Sequence, residues 1–229
     1  MGSLKFPHTS GNSMSIAAPA TNPASDLELK LPATIGTANQ VLANSSTPGT
    51  LEFATPGTIL QVVSNLVTTN HDIAMANADT WYSITTMDTA ITPTSNTSKI
   101  LISGHIYGET AQAEHYYAWR MGRTISGGSL TPIGVNTETA SNRRTCTGSF
   151  KHGGTDNNST PAPINIANYI DSPATTSATT YTFQINSYSS AGTYNLNHTV
   201  GDANDQDVYE RGASWITLME IAGSKVTTP

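Results

Sequence analysis

Residues 80–108 read TWYSITTMDTAITPTSNTSKILISGHIYG, and the fold turns on how they are read. The stretch opens as an alternating strand, with Trp81, Ser83 and Thr85 facing one way and Tyr82, Ile84 and Thr86 the other. It closes with Lys99-Ile100-Leu101-Ile102, a run with no polar break, as expected where both faces of a strand are covered. Between them, Thr92-Pro93-Thr94-Ser95-Asn96-Thr97-Ser98 gathers turn formers that neither a helix nor a central strand tolerates. The stretch is therefore two β-strands and a polar turn, and the later strand is the expected centre of the core.

Outward from this centre, further strands are expected at Ile59 to Thr68, His115 to Thr124, Arg143 to Phe150, Ile164 to Tyr169, Thr180 to Tyr188, Tyr194 to Val200 and Ser214 to Ala222. With Trp81 to Thr86 and Lys99 to Tyr107 they make a set of short strands separated by Gly, Pro, Ser and Asn turns. Alternation is clearest in Tyr181, Phe183 and Ile185, with Thr182, Gln184 and Asn186 on the opposite face. In Tyr194, Leu196 and His198 it predicts that Asn195 and Asn197 point to water. No stretch reads as a helix. The fold class is all-β, an antiparallel jelly-roll-like sandwich. Its longest loops are expected at Ser126 to Asn142 and His152 to Pro163, and loops of this size at one end of a sandwich are where recognition resides.

Composition narrows the function. Charged residues are only 11% of the chain and the formal net charge is −6. The ten lysines and arginines are scattered, Arg143-Arg144 being the sole adjacent pair. A phosphate-binding surface needs them clustered, so nucleic acid is not an expected partner. No run approaches the ~20 apolar residues of a membrane span, and the N-terminus lacks a basic start followed by an apolar segment. Neither a membrane partner nor secretion is expected, so the sequons at Asn44, Asn96, Asn158 and Asn197 should stay unmodified. The one cysteine, Cys146, excludes an intrachain disulfide framework and reads as a small strand residue.

Three segments then carry a resemblance. Gly57-Thr58-Ile59-Leu60-Gln61-Val62-Val63, the central stretch with its Ile91-Thr92-Pro93-Thr94-Ser95 turn and Ser98-Lys99-Ile100-Leu101-Ile102 strand, and Arg211-Gly212-Ala213-Ser214-Trp215-Ile216-Thr217-Leu218-Met219-Glu220-Ile221 match in order and spacing. Together they resemble the C-terminal β-rich module of structural appendage proteins of tailed bacteriophages and cyanophages. The resemblance covers roughly Gly57 to Gly223 and includes no catalytic signature. It implies a virion protein whose head forms a homotrimer, burying an edge and one apolar face of each copy at the threefold axis. Trp119, Trp215, Met219 and Ile221 are candidates to point inward there, and each serves equally well as intrachain core.

Upstream, residues 1 to about 25 hold three prolines and little periodicity, so they should be extended and without a core of their own. Asp26-Leu27-Glu28-Leu29-Lys30-Leu31-Pro32 alternates strictly, as a half-buried strand whose leucines need a partner surface. The pattern from Ser15 to Phe53 also resembles, more loosely, the region by which phage appendages attach to the particle or begin a shaft. From Ala33 to Pro56 the chain reaches at most ~80 Å at ~3.3 Å per residue, which excludes a long fibre shaft. The expected organisation is a virion-docking arm over 1–32, a short β neck over 33–56 and the sandwich head over 57–229, with Leu27, Leu29 and Leu31 as docking residues.

Catalytic patterns are lacking. His105, His115, His152 and His198 are isolated, with no HxH or HxxxH spacing to bring two ligands together. Asp202, Asp205 and Asp207 supply oxygen ligands at close spacing, yet the tract lacks the glycine and distal glutamate of an EF-hand loop. A solvated hairpin tip is the better reading, with a calcium site as the alternative. Glycoside cleavage needs two carboxylates facing across a groove, and no local pattern pairs Glu109, Glu114, Asp171 or Glu210. Nor is there a GxSxG nucleophile turn. No catalytic residue, metal or cofactor is expected.

The sequence thus predicts a non-enzymatic protein of the virion surface, assembled in the host cytoplasm. It would be a short head fibre or capsid decoration (cement) protein, bound to the major capsid protein or to a tail or adaptor protein. The alternative is a short tail fibre whose head binds a host surface glycan or protein, for which Tyr116-Tyr117 and Trp81-Tyr82 would supply aromatic surface.

Overall fold

A polar, turn-rich chain with an apolar residue at every second position buries those residues by stacking one sheet on another. The computed structural model describes residues 3–7, 11, 13–17, 21, 23–24, 27–38, 40–54, 57–110, 116–138, 143–151, 161–188, 191–203, 207 and 209–226. They fall into two units, Met1–Pro56 and Gly57–Pro229.

In the first unit, β1 (Ser3–Pro7) and β2 (Ser13–Ala17) pair as an antiparallel hairpin. The segment expected to be extended and without a core of its own pairs with itself. β3 (Val41–Asn44) and β4 (Leu51–Ala54) form a second hairpin. The strand expected over Asp26–Pro32 is absent from the described part, Asp26 itself lying outside it. Residues 27–32 meet β4 through one parallel bridge, in which Lys30 donates to the Gly49 carbonyl at 2.8 Å and accepts from Leu51 at 2.8 Å. A single bridge gives the alternating leucines nothing to bury against, and Leu27, Leu29 and Leu31 are between 62% and 77% exposed.

The second unit contains β5 (Ile59–Val67), β6 (His71–Met75), β7 (Trp81–Ser83), β8 (Thr89–Ile91), β9 (Lys99–Ile106), β10 (Gly108–Thr110), β11 (Tyr116–Ile125), β12 (Thr131–Ile133), β13 (Gly148–Lys151), β14 (Ile164–Asp171), β15 (Thr179–Ser187), β16 (Gly192–Leu196) and β17 (Ser214–Ile221). The front sheet runs β5-β17-β9-β14. In the back sheet, β7 and β8 both pair with β15, which pairs with β11, which pairs with β12 and β13. A small third sheet runs β6-β16-β10. The chain passes from front to back and returns, so that β9 lies beside β14 and β17 while β11 lies beside β15. This interleaving of two Greek keys is the jelly roll.

The two sheets share one core. Ile100, Ile102 and Ile106 of β9 and Ile216 and Leu218 of β17 join Tyr117 and Met121 of β11 and Tyr181, Phe183 and Ile185 of β15. Gly104 lets β9 approach closely, since a Cβ there would sit 3.0 Å from the Trp215 carbonyl and 3.5 Å from the Phe183 ring. Asp171 of β14 ties front to back. Its two oxygens both accept from one Arg123 guanidinium nitrogen, Nη1 (2.8 and 2.9 Å), and Oδ2 also accepts the Tyr181 hydroxyl (2.7 Å).

Several expectations are corrected. The strand from Trp81 stops at Ser83, because a 3-10 turn over Thr85–Met87 swings Ile84 and Met87 into the core. The strand expected over Arg143 to Phe150 shrinks to Gly148–Lys151: β12 already occupies the rest of that edge of β11, and Cys146 is left in a loop. β6, β8, β10 and β12 are too short to show a period. A second 3-10 turn, Gly223–Lys225, follows β17.

Asn195 and Asn197 do not face water; both are buried. On the front sheet, β17 alternates so that Ser214, Ile216, Leu218 and Glu220 face the core. Trp215, Met219 and Ile221 therefore lie on the outer face, whereas Trp119 packs against the core.

Candidate functional site

Two surfaces of the jelly roll stand out from the alternation. The first is the outer face of the front sheet. Strand register places Leu66, Trp215 and His105 side by side in one row, and Val62, Met219, Leu101 and Ile170 in another. A hydroxyl row of Ser64, Thr217 and Ser103 separates them, Ser64 and Thr217 lying 3.2 Å apart. Trp215 stacks on His105 at 4.5 Å between ring centroids, yet remains 42% exposed, and Ile59, Val62 and Leu66 are exposed with it. The unbroken Lys99–Ile102 run had implied cover on both faces. Leu101 is half-buried, and nothing described in its unit covers the two apolar rows.

The second surface is a cleft of about 530 Å³ on the outer face of the back sheet. Tyr188 donates its backbone N–H to the Tyr116 carbonyl at 3.1 Å, so the two tyrosines are cross-strand neighbours on one face. The two residues are 59% and 60% exposed. Next along the strand on the same face, Ala118 lies between Ser149 of β13 and Asn186 of β15, and the small side chains of Ala118 and Ser149 line the cleft. Arg143, Arg144 and Cys146 close the far side. The Arg144 guanidinium lies 5.3 Å from the Tyr188 ring, hydrogen-bonds Oδ1 of Asn186 and sits 3.5 Å from Asp79. Arg143 is exposed, has no ion-pair partner among the described residues, and also lines an adjoining cleft of about 540 Å³ beside Glu138 and Asn136.

The sequence pointed to Tyr116-Tyr117 as an aromatic pair, and the strand divides it. Tyr117 is core, stacked on Phe150 at 5.4 Å, and Tyr116 is cleft. Tyr188 was readable by period, since it continues the outward series Thr182, Gln184, Asn186. Trp81 lies under Arg120 at 4.1 Å, and the Tyr82 hydroxyl accepts the Asn77 N–H at 2.8 Å. Of the long loops, 139–142 and 152–160 lie outside the described residues.

The remaining candidates are occupied or dispersed. Asp171 is taken by Arg123 and Tyr181. Glu109 is buried and accepts the Val200 N–H at 2.8 Å. Glu210 is exposed, and Glu114 lies outside the described residues. His105 holds Asn165 at 2.7 Å, and His198 lies 2.9 Å from Asp72. His115 and His152 lie outside the described residues. Asp202 is bound by Arg211 at 2.7 Å, and that hydrogen bond holds its carboxyl below the usual range. Asp207 is exposed, and Asp205 lies outside the described residues. Among the described residues no group of three or more His, Cys, Asp or Glu could hold a metal, and no helix is long and apolar enough to cross a membrane.

No family model and no curated protein matches the chain. Similar solved structures include infectious bursal disease virus of the Gt strain (9% identity over 96% of this chain and 55% of that one, TM-score 0.35). They also include the VP2 subviral particle of the same virus (14% identity, 81% and 38%, TM-score 0.35). The virus of the Gx strain is a third (9% identity, 80% and 41%, TM-score 0.33). The chain spans about half or less of the length of these structures.

Proposed function

We propose that this chain is a structural protein of a tailed-phage virion, a short surface fibre or capsid decoration protein with an outward-facing trimeric head. The observation that carries the reading is the uncovered apolar outer face of the front sheet. Four strands span three gaps of ~4.8 Å and run about eight residues at ~3.3 Å each, an area on the order of 400 Å². The largest apolar patch on a typical soluble protein is of this size and is often functional. The area is about half of the ~800 Å² that each partner of a stable pair buries. That favours a ring of copies, in which each protomer presents two surfaces to its neighbours.

The second support is the exposed series Leu27, Leu29 and Leu31 in the N-terminal unit. A partner strand laid along this segment would pair its free backbone and cover the leucines together. The major capsid protein, or a tail or adaptor protein, is the proposed partner, and assembly would take place in the host cytoplasm. No catalytic role is assigned, because the described carboxylates and histidines are either engaged in internal bonds or not brought together. Replacing the three leucines by aspartate in the full chain should leave a folded protein that is absent from purified particles. Undiminished incorporation would remove their docking role.

The cleft beside Tyr116 and Tyr188 favours a second reading, a short tail fibre whose head recognises a host surface glycan. Exposed aromatic faces of this kind are more useful to a receptor binder than to a shell component.

A further inference from the structure

We infer that the cleft beside Tyr116 and Tyr188 binds an anionic saccharide, a pyranose ring carrying a carboxylate, with Arg143 as the group that reads the charge. The inference deepens the recognition reading and depends on it for biological meaning, although binding itself is measurable on the isolated chain. Three features of the cleft select this chemistry.

The first is the pair of tyrosine rings. They stand on one face of neighbouring strands, about three-fifths exposed, whereas the preceding residues of β15 on that face, Thr182, Gln184 and Asn186, are buried. Arg144 spends its guanidinium on Asn186, Asp79 and the Tyr188 ring, so it fixes the ring's position and leaves the charge partly neutralised. An electron-rich phenol face set this way accepts the C–H face of a sugar ring.

The second is the exposed guanidinium of Arg143. It has no ion-pair partner among the described residues, and no carboxylate stands in the described lining of this cleft, Glu138 lining the adjoining one. On a chain of net charge −6, this cleft concentrates two of ten basic side chains. A guanidinium offers a carboxylate two parallel N–H donors, which a neutral sugar has no means of engaging equally.

The third is shape. The cleft over Ser149 and Ala118 is shallow and open at the side, and the second cleft continues past Arg143 toward Asn136. An open trough of this kind suits a residue within a polymer better than a small molecule that must be enclosed. Nucleic acid would need several further cations along the trough to neutralise its phosphates, and the described lining has none.

The test is a saturation-transfer NMR titration of the full chain with short oligogalacturonate and sialyl-oligosaccharide probes, beside the methyl ester of the same oligogalacturonate and inorganic polyphosphate. At least one acid probe should bind, with a dissociation constant that rises with salt. Its methyl ester should bind about tenfold more weakly. Arg143→Gln should weaken the acid by a similar factor and leave the ester unchanged, while Tyr188→Ala should weaken both. Thermal melting of each variant separates loss of fold from loss of site. Failure of both acid classes, equal binding of acid and ester, indifference to Arg143→Gln, or polyphosphate binding that survives Tyr188→Ala would each overturn the assignment. None of these outcomes depends on whether the chain is found on a particle.

Discussion

Ser214 donates a hydrogen bond of 2.6 Å to Oδ1 of Asn197, while the Asn197 amide donates to the carbonyls of Val67 and Thr69 at 2.8 and 3.0 Å. The Ser214 hydroxyl also accepts the Tyr107 N–H at 3.0 Å. One buried side-chain pair thus fastens the end of β5, the turn after β16, the start of β17 and the residue after β9. Asn197 holds a left-handed φ of +66°, a conformation that asparagine tolerates better than most residues. Replacing it by alanine leaves the buried Val67 carbonyl short of a donor and the Ser214 hydroxyl short of an acceptor, and strains the backbone, for a cost of roughly 3 kcal/mol. Asn197→Gly keeps the conformation and should cost about 1 kcal/mol less. Denaturant unfolding of the two variants checks the order, and equal losses would show that the left-handed turn contributes nothing.

Glu220 is a pH-dependent fastening at the opposite end of β17. Its carboxylate accepts the Thr94 N–H and hydroxyl, each at 2.7 Å, and the Gln61 amide at 2.5 Å. Burial pushes the carboxyl up, and hydrogen bonds, among them those from Gln61 and Thr94, outweigh it and hold it below its ordinary value. A depressed carboxyl stabilises the fold above its unfolded value, about 4.3, and that contribution fades as pH falls through the folded value. Glu220→Gln turns an amide donor toward Gln61, so it should cost roughly 2 kcal/mol at neutral pH. The gap from the parent should narrow below about pH 4. A gap that does not change with pH would contradict this role.

How much of this was legible depends on what each residue's neighbour contributes. The jelly roll was readable because Ile100, Ile102, Tyr181, Phe183 and Ile185 keep the period of two that only stacked sheets bury together. Asn197 was read as solvent-facing because period does not reveal where a strand ends and a left-handed turn begins. The apolar outer face was half-legible. Leu101 in an unbroken run signalled cover, but a chain cannot say whether that cover comes from itself. Tyr188 followed from the period of β15, whereas its meeting with Arg144 required a loop conformation that no local pattern encodes.

The Arg123–Asp171 pair should behave as a buried ion pair that is costly to break singly. Asp171→Ala leaves the guanidinium and the Tyr181 hydroxyl without their shared acceptor, and should lose roughly 3–5 kcal/mol. Exchanging both members for apolar residues, Arg123→Met with Asp171→Leu, should lose much less. Thermal unfolding of the single and double variants decides it, and additive losses would argue against coupling between the two.

The front-sheet face makes an oligomer measurable. Val62, Leu66 and Met219 project away from the core, so Leu66→Asp or Met219→Asp should leave melting within about 0.5 kcal/mol of the parent. The same variants should convert a trimer into a monomer in size-exclusion chromatography with light scattering. A parent chain that is monomeric at micromolar concentration would remove the proposed use of this face.

The central claim is that the chain is a component of a virion shell, and gel densitometry of purified particles tests it most directly. The band of this chain is measured against that of the major capsid protein in virions of the proposed phage. A ratio near one copy per capsid subunit, or one per few, is the predicted result. A few copies per hundred subunits would contradict shell decoration and leave the tail-fibre reading, and absence from the particle would contradict both.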